Sequence, residues 1–380
     1  MTTPYLEAAR EISTLLDALA IKSKGDPVSP EAIDAMASAE LFGVMTPREV
    51  GGAELPLNDV IDVFAEVARA DGSTGWCLMA AASTVAYFGA YGGQSFVDEL
   101  FADGTPLAAG QFAPNGTGVP DGDGFRISGN YQFGSGIHYA AWVGAGFLVH
   151  PPEGTDAGAQ YWFTLVPKRA AELQGNWDVL GLQSTASFDY SLDDVYSSKD
   201  ASFLFAAPTR HRGGPLYELG VVSLTAAGHA GFALGVTQRA LDELRSIAKT
   251  KVRMGSGSFL KESERFLASL GRLESRFRAA RAWVRECFDE AERDVRATER
   301  ANPRLSHLVR QATVFVTEEG ADIVREAYLL AGTTSLREGA LQRCFRDIHA
   351  GSQHFFASPA STLEFARDLM DDAPDSALDA

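Results

Sequence analysis

Residues 340–356, ALQRCFRDIHAGSQHFF, gather Arg343, Arg346, Asp347, His349 and His354 into one short stretch. The pattern predicts a helix on which Asp347 and His354, seven positions apart, share nearly the same face with Arg343, Arg346 and Ala350, while His349 points elsewhere. Imidazole is the side chain whose ordinary pKa lies near neutrality, so this face would present a group able to take or give a proton. A nearby carboxylate would raise its pKa and set its tautomer. A surface helix with charges at helical spacing is the alternative. The other histidines are less suggestive: His150, His211 and His307 form no constellation, and His229, among the small residues of AAGHAGFALG, suits a buried ring satisfied by backbone. Cys77, Cys287 and Cys344 are odd in number and widely spaced, which fits a reducing compartment and no metal or redox-pair pattern.

The elements that must position these groups fall into three regions. Residues 1–104 read as helices. SPEAIDAMASAELFG opens on a Ser-Pro signal and stops at Gly43. LNDVIDVFAEVARADGS has Asn58 as candidate N-cap and Val60, Ile61, Phe64 and Val67 as a core stripe. STGWCLMAAASTVAYFGAYGG carries no charge and must be buried on several sides. From 105 to 215 the period changes to two, and the turn signals PNGTG, PDGDG, SGN and PPEGTDAG separate FRIS, YQF, WVGAGFLV and YWFTLV, the pattern of an antiparallel β-domain. From 216 to 380 four long periodic segments, near 216–250, 258–299, 305–330 and 337–371, predict an antiparallel four-helix bundle, and the acidic run DDAPDSALDA a frayed tail. The fold class is therefore α+β, in the order helical domain, β-domain, helical bundle.

Composition narrows the partners. A chain of 380 residues with 46% apolar and 22% charged residues is globular, and its length predicts two or three domains. The net charge of −17 argues against nucleic acid or an anionic membrane, both of which need clustered Lys and Arg. The N-terminal MTTPYLEAAREISTLLDALA lacks the basic and apolar regions of a secretory signal, and no window of about 18 uninterrupted apolar residues predicts a membrane span. A cytoplasmic location is expected.

The motifs, taken in order, resemble the acyl-CoA dehydrogenase superfamily of flavoproteins. LFGVMTPREVGGAELPLNDVIDVFAEVARADGSTGW is similar to its N-terminal pattern, GFRISGNYQFGSG to the strand pair leading to the flavin, and WDVLGLQSTASFDYSLDDVY to the following Trp, Gly-Leu and Thr/Ser-turn segment. LAGTTSL followed by RCFRD resembles the last loop and the terminal Arg-Asp helix. Common dehydrogenases of the family place a base glutamate eight residues after that aspartate, where this chain has Phe355, which cannot take a proton. HAGSQHFF instead resembles the two-component flavin monooxygenase branch, with a histidine where His354 stands.

That resemblance implies an oxygenase using O2 and reduced flavin, FADH2 or FMNH2, supplied by a separate reductase. It would proceed through a C4a-hydroperoxide to hydroxylate an aromatic or polycyclic small molecule. It implies His354 as acid or base, with Asp347 and Arg346 bracing the end of the bundle, Phe133 covering the flavin ring, and Ser135 bonding near its N5/O4 edge. Thr185 and Ser187 would lie near the ribityl or phosphate, or else stabilise their turn. Arg253 would reach a neighbouring subunit's flavin phosphates, and Thr333 or Thr334 would sit on the same cofactor. Gln111 would face flavin and substrate or bond its own loop; His138 would line the pocket or satisfy turn carbonyls. Several aromatic hydroxylases of the branch carry a pocket histidine in the buried first-domain helix, where this chain offers only Ser83, Thr84 and Tyr87. The implied assembly is a homotetramer. Alternatives are an acyl-CoA dehydrogenase or flavin oxidase with another base, and a non-catalytic ligand-binding homologue.

Overall fold

The computed structural model describes residues 3–371 apart from 153, 155, 156 and 254–256. The predicted frayed tail lies outside the described residues from 372 onward.

Five helices lead the chain: α1 (Pro4–Ser23), α2 (Pro30–Ser38), α3 (Leu57–Ala70), α4 (Gly72–Tyr91) and α5 (Gln94–Leu100). The Ser-Pro start of α2 is as expected, with Ser29 accepting from the Ala32 N–H at 3.3 Å. This helix ends at Ser38, however, and Leu41–Gly43 forms a separate 3-10 turn after a left-handed Glu40. On α3, Val60, Ile61, Phe64 and Val67 are fully buried. Asn58 does not cap it. The Leu57 N–H is instead met at 2.7 Å by the buried Glu292 carboxylate, and Asn58 Nδ2 donates to the Arg285 carbonyl at 3.0 Å, so a distant helix supplies the cap. Uncharged α4 is buried along nearly its whole length and is capped by Asp71, which accepts from the Thr74 N–H at 2.9 Å.

Seven strands follow: β1 (Ala108–Asp121), β2 (Gly124–Gly134), β3 (Trp142–Val149), β4 (Gln160–Pro167), β5 (Glu172–Leu173), β6 (Phe188–Ser198) and β7 (Ser202–Leu204). They form one sheet in the order β5-β6-β2-β1-β3-β4-β7. It is not purely antiparallel, because β1 and β3 run parallel. Alternation reports a strand and its two faces but not the direction of its neighbour. The expected turns at PNGTG and SGN are also absent: PNGTG lies within β1, and FRIS, SGN and YQF are all parts of β2, which absorbs its glycines in irregular pairing with β6.

The last region contains α6 (Gly220–Thr250), α7 (Glu264–Thr298), α8 (Pro303–Ala331), α9 (Ala340–Gly351) and α10 (Pro359–Met370). The expected fourth long helix is broken between α9 and α10 by a 3-10 turn at Phe355–Ala357, and α10 restarts on Ser358-Pro359. Helix α6, with the turn before it, is long and apolar enough to cross a membrane, but 89% of that window is buried within the fold. Its glycines let α3 approach: a Cβ on Gly231 would lie 2.8 Å from Phe64 Cβ, and one on Gly235 2.3 Å from the Ala65 carbonyl oxygen. Leading helices, bundle and the inner sheet residues Phe163, Leu165 and Phe203 share one continuous apolar core. A second core, around Ile127, Val143, Phe147 and Tyr190, belongs to the sheet alone.

Candidate functional site

Near the end of β2 the pairing with β6 shifts between Tyr131 and Gly134, and Phe133 is driven to φ 61°, left-handed for a bulky residue. Its N–H donates to Asp189 Oδ1 at 3.3 Å, and its carbonyl accepts from the Ser135 N–H at 2.7 Å. The ring is left 55% exposed, edge-on to Trp177 at 6.2 Å. Leu182 and Ala186, also left-handed, flank the 3-10 turn Gln183–Thr185. Such conformations each store about 1–3 kcal/mol and persist where surrounding structure enforces them. Here the enforcement is visible: the buried Asp347 accepts from the Leu182 N–H at 2.7 Å, and Arg346 donates to Gln183 Oε1 at 3.0 Å. The exposed Phe133 ring is apolar surface that fits a flat aromatic group.

Next to that ring lies a directional hydroxyl chain. Thr185 Oγ1 donates to the Leu182 carbonyl at 2.8 Å, so it can only accept from Ser187 Oγ, 2.7 Å away. Ser187 has then committed its proton and accepts from Ser135 Oγ at 2.8 Å, while Ser135 accepts the Trp76 indole N–H at 3.0 Å. Ser135 is left with acceptor capacity only.

Trp76, on α4, joins this chain to a cluster of rings. It meets Phe232 at 4.8 Å, His354 at 5.3 Å and His229 at 5.4 Å, all edge-on. His354 in turn stacks at 5.3 Å on both His229 and Phe356. It does not stand on a helix beside Asp347. It caps the 3-10 turn between α9 and α10, its Nδ1 accepting from the Phe356 N–H at 3.4 Å, which leaves the ring proton on Nε2. Gly351 permits the turn, since a Cβ there would lie 2.4 Å from Phe232. The expected carboxylate influence is therefore absent and the shift runs the other way: burial lowers the His354 pKa to about 4. Burial likewise raises Asp347 to about 7, with the Asp71 charge adding to it.

His229 is fully buried, but the expected backbone partners are missing: neither ring nitrogen has a hydrogen-bond partner. Burial, then the His354 ring, hold its pKa well below the ordinary value. An unsatisfied buried polar group costs about 1–3 kcal/mol.

The remaining candidates are scattered. Tyr87 is turned to α6, its hydroxyl bonded to Thr225 and the Val221 carbonyl. Ser83 and Thr84 are engaged with Met45 Sδ and the Ala80 carbonyl. Gln111 accepts through Oε1 from Asn115 at 3.0 Å and from the Gln132 N–H at 3.1 Å, beside Phe133. His138 is exposed, its ring edge-on to Tyr139 at 5.0 Å, with its carbonyl accepting from Lys168. Arg253 is exposed after α6, its backbone closing a turn onto Ser258 and Gly257. Thr333 and Thr334 are exposed in the 3-10 turn after α8. His307 does have a companion, Asp368 at 2.7 Å, linking α8 to α10. Among the described residues, no Asp or Glu is hydrogen-bonded to a member of the ring cluster, and no three metal-ligating side chains gather.

Sequence reasoning missed two members of the site. Trp76 lay inside motifs used to recognise a helix and a family resemblance but not a site, and the signal at His229 was the run of small residues around it, which lets large rings close on an imidazole.

The family description "Acyl-CoA dehydrogenase, N-terminal domain" matches residues 8–96, and "Acyl-CoA dehydrogenase, C-terminal domain" matches 227–359. Indole-3-acetate monooxygenase from Pseudomonas putida is 26% identical over 338 residues, 87% of this chain and 84% of that protein. The oxygenase subunit HsaA of a flavin-dependent monooxygenase from Rhodococcus jostii is 23% identical over 342 residues, 87% of this chain and 88% of the relative. The solved structure of XiaF from Streptomyces sp., in complex with FADH2 and glycerol, has a TM-score of 0.87 to this chain at 20% identity, covering 97% of it and 96% of XiaF.

Proposed function

This chain belongs to the acyl-CoA dehydrogenase superfamily, in its flavin-dependent monooxygenase branch, and from that premise we propose that it is the oxygenase component of a two-component system. Reduced flavin, FADH2 or FMNH2, comes from a separate reductase and, when bound, supplies the two electrons for O2. One oxygen atom enters an aromatic or polycyclic small molecule and the other leaves as water.

The observation that carries this reading is the cluster itself. An imidazole, and not a carboxylate, stands among rings that connect through Trp76 to Ser135. An acyl-CoA dehydrogenase needs a carboxylate base over the substrate carbon, whereas Phe355, at the position of that base, is 52% exposed and carries no proton acceptor.

In this reading Phe133 covers the flavin ring, and Ser135, able only to accept, suits the N–H of a reduced flavin. Thr185 and Ser187 act through Ser135 by fixing its proton. Gln111 and His138 lie on the sheet side of the site. Arg253, Thr333 and Thr334 reach the cofactor's phosphate end, completed by a second subunit of a homotetramer. Support for assembly through the bundle comes from its exposed apolar residues Leu267, Phe315, Leu329 and Leu363. A cytoplasmic location suits the three free, buried cysteines.

His354 is neutral at pH 7. In this role its Nε2–H would donate a hydrogen bond at the cofactor's reacting edge, while Nδ1 stays the acceptor of the Phe356 N–H at 3.4 Å.

The test supplies the purified chain with reduced flavin and air. Oxygen-dependent hydroxylated product from an indole or phenol is expected, with none from oxidised flavin. His354→Ala should keep fold and flavin but lose at least 100-fold in coupled product. Bleaching of bound oxidised flavin by an acyl-CoA, without reductant, would sink the proposal.

A further inference from the structure

We propose that His229 is the residue that orients the substrate, hydrogen-bonding the polar atom of an aromatic ligand from the floor of the Trp76–His354 ring cluster. The inference rests on the oxygenase reading for the identity of the ligand, but its evidence is separate.

His229 has no exposure and two ring nitrogens without partners, and the rings around it, Trp76, Phe232, His354 and Phe356, leave it no protein group to bond. Trp76 commits its one N–H to Ser135, and His354 Nδ1 is directed at the Phe356 N–H. Hydroxyls elsewhere on α6 do not help, because Thr225 is bonded to Tyr87 and the Val221 carbonyl, and Thr237 to the Ala233 carbonyl.

Buried polar groups in folded proteins are paired in the great majority, and an orphaned imidazole enclosed by rings offers its nitrogens to a ligand's polar atom. The surroundings define that ligand. Ring faces and edges select a planar aromatic. A neutral imidazole, with one donor and one acceptor nitrogen, selects a hydroxyl or ring N–H, either of which it can accept from. Stacking on His354 at 5.3 Å puts the bonded atom of the ligand within one ring's breadth of the proposed acid or base. His354 is half-buried where His229 is closed in.

A matched pair of probes, 2-naphthol and naphthalene, tests the idea by equilibrium binding to the full-length protein. The wild type should bind 2-naphthol at least tenfold more tightly than naphthalene, and the His229 ring 15N signals should shift on adding 2-naphthol. His229→Phe keeps a ring in the stack and should abolish that preference while retaining naphthalene binding; His229→Gln should restore part of it. Equal binding of the two probes by the wild type overturns the proposal, as does a His229→Phe variant that still prefers 2-naphthol. Loss of both probes in His229→Phe, with 15N signals of the wild type unmoved by 2-naphthol, assigns His229 to packing and overturns it too. None of these readouts involves turnover, so a failure of the oxygenase reading shows separately, as absence of oxygen-dependent product from the wild type.

Discussion

At the level of single residues, Ser135 is defined by where its proton goes. The order Trp76 to Ser135 to Ser187 to Thr185 to the Leu182 carbonyl runs one way because each hydroxyl has one hydrogen and Trp76 can only donate. Breaking it at Ser187 frees the Ser135 proton. Ser187→Ala is therefore expected to narrow the preference for reduced over oxidised flavin by about tenfold, the worth of one hydrogen bond of about 1.4 kcal/mol. Flavin titrations under anaerobic and aerobic conditions measure this, and an unchanged ratio would remove the directional role. His354 stood out because imidazole titrates near neutrality, whereas Ser135 stood out only through the family resemblance. Their surroundings were not legible. The predicted partnership of Asp347 with His354 assumed an unbroken helix, and the backbone partners expected for His229 assumed that a buried nitrogen is satisfied by its own fold.

At the level of elements, the break between α9 and α10 decides what the last helix can do. It turns His354 off the Asp347 face and leaves that aspartate to hold the 182–187 turn from beneath. The break had a trace in the sequence: Ser358-Pro359 repeats the Ser29-Pro30 signal that opens α2, yet helical periodicity on either side carried the reading through it. The parallel pairing of β1 with β3 left no such trace, since a strand's alternation is the same in either direction. Long amphipathic segments and charge-free α4 were the most legible, because burial periodicity is a property of the segment itself. For Asp347 the pH dependence follows from its raised pKa of about 7. Its folded state binds a proton more tightly than the unfolded chain, so the stability it contributes is complete below pH 3.8 and is lost as pH rises to about 7. Asp347→Asn keeps an acceptor for the Leu182 N–H without the charge. Relative to wild type it should gain stability progressively between pH 4 and 7 and hold the gain above, up to about 4 kcal/mol at one unit per 1.4 kcal/mol. Denaturant midpoints at pH 4 and 8 test this; an equal difference at both would show that the buried charge is not responsible.

On the scale of the whole molecule, the leading helices and the bundle share one core, so they are expected to unfold together, while the sheet keeps apolar packing of its own. The bundle's outer face is less complete. Leu329 on α8 is 62% exposed and Leu363 on α10 is 58% exposed, where a lone bundle would carry polar residues. Light scattering is expected to return four times the chain mass, and Leu329→Glu with Leu363→Glu to return a smaller, still folded species; a wild-type monomer at micromolar concentration would overturn the tetramer. The sheet, by contrast, finishes on one side with the two-residue β5 and on the other with the three-residue β7. Each covers only part of its neighbour, β5 pairing with Tyr190 and Ser191 of β6 and β7 with Trp162, Phe163 and Thr164 of β4. Border strands this short discourage edge-to-edge stacking of copies, and the exposed leucines of the helices are the face on which like chains are expected to meet.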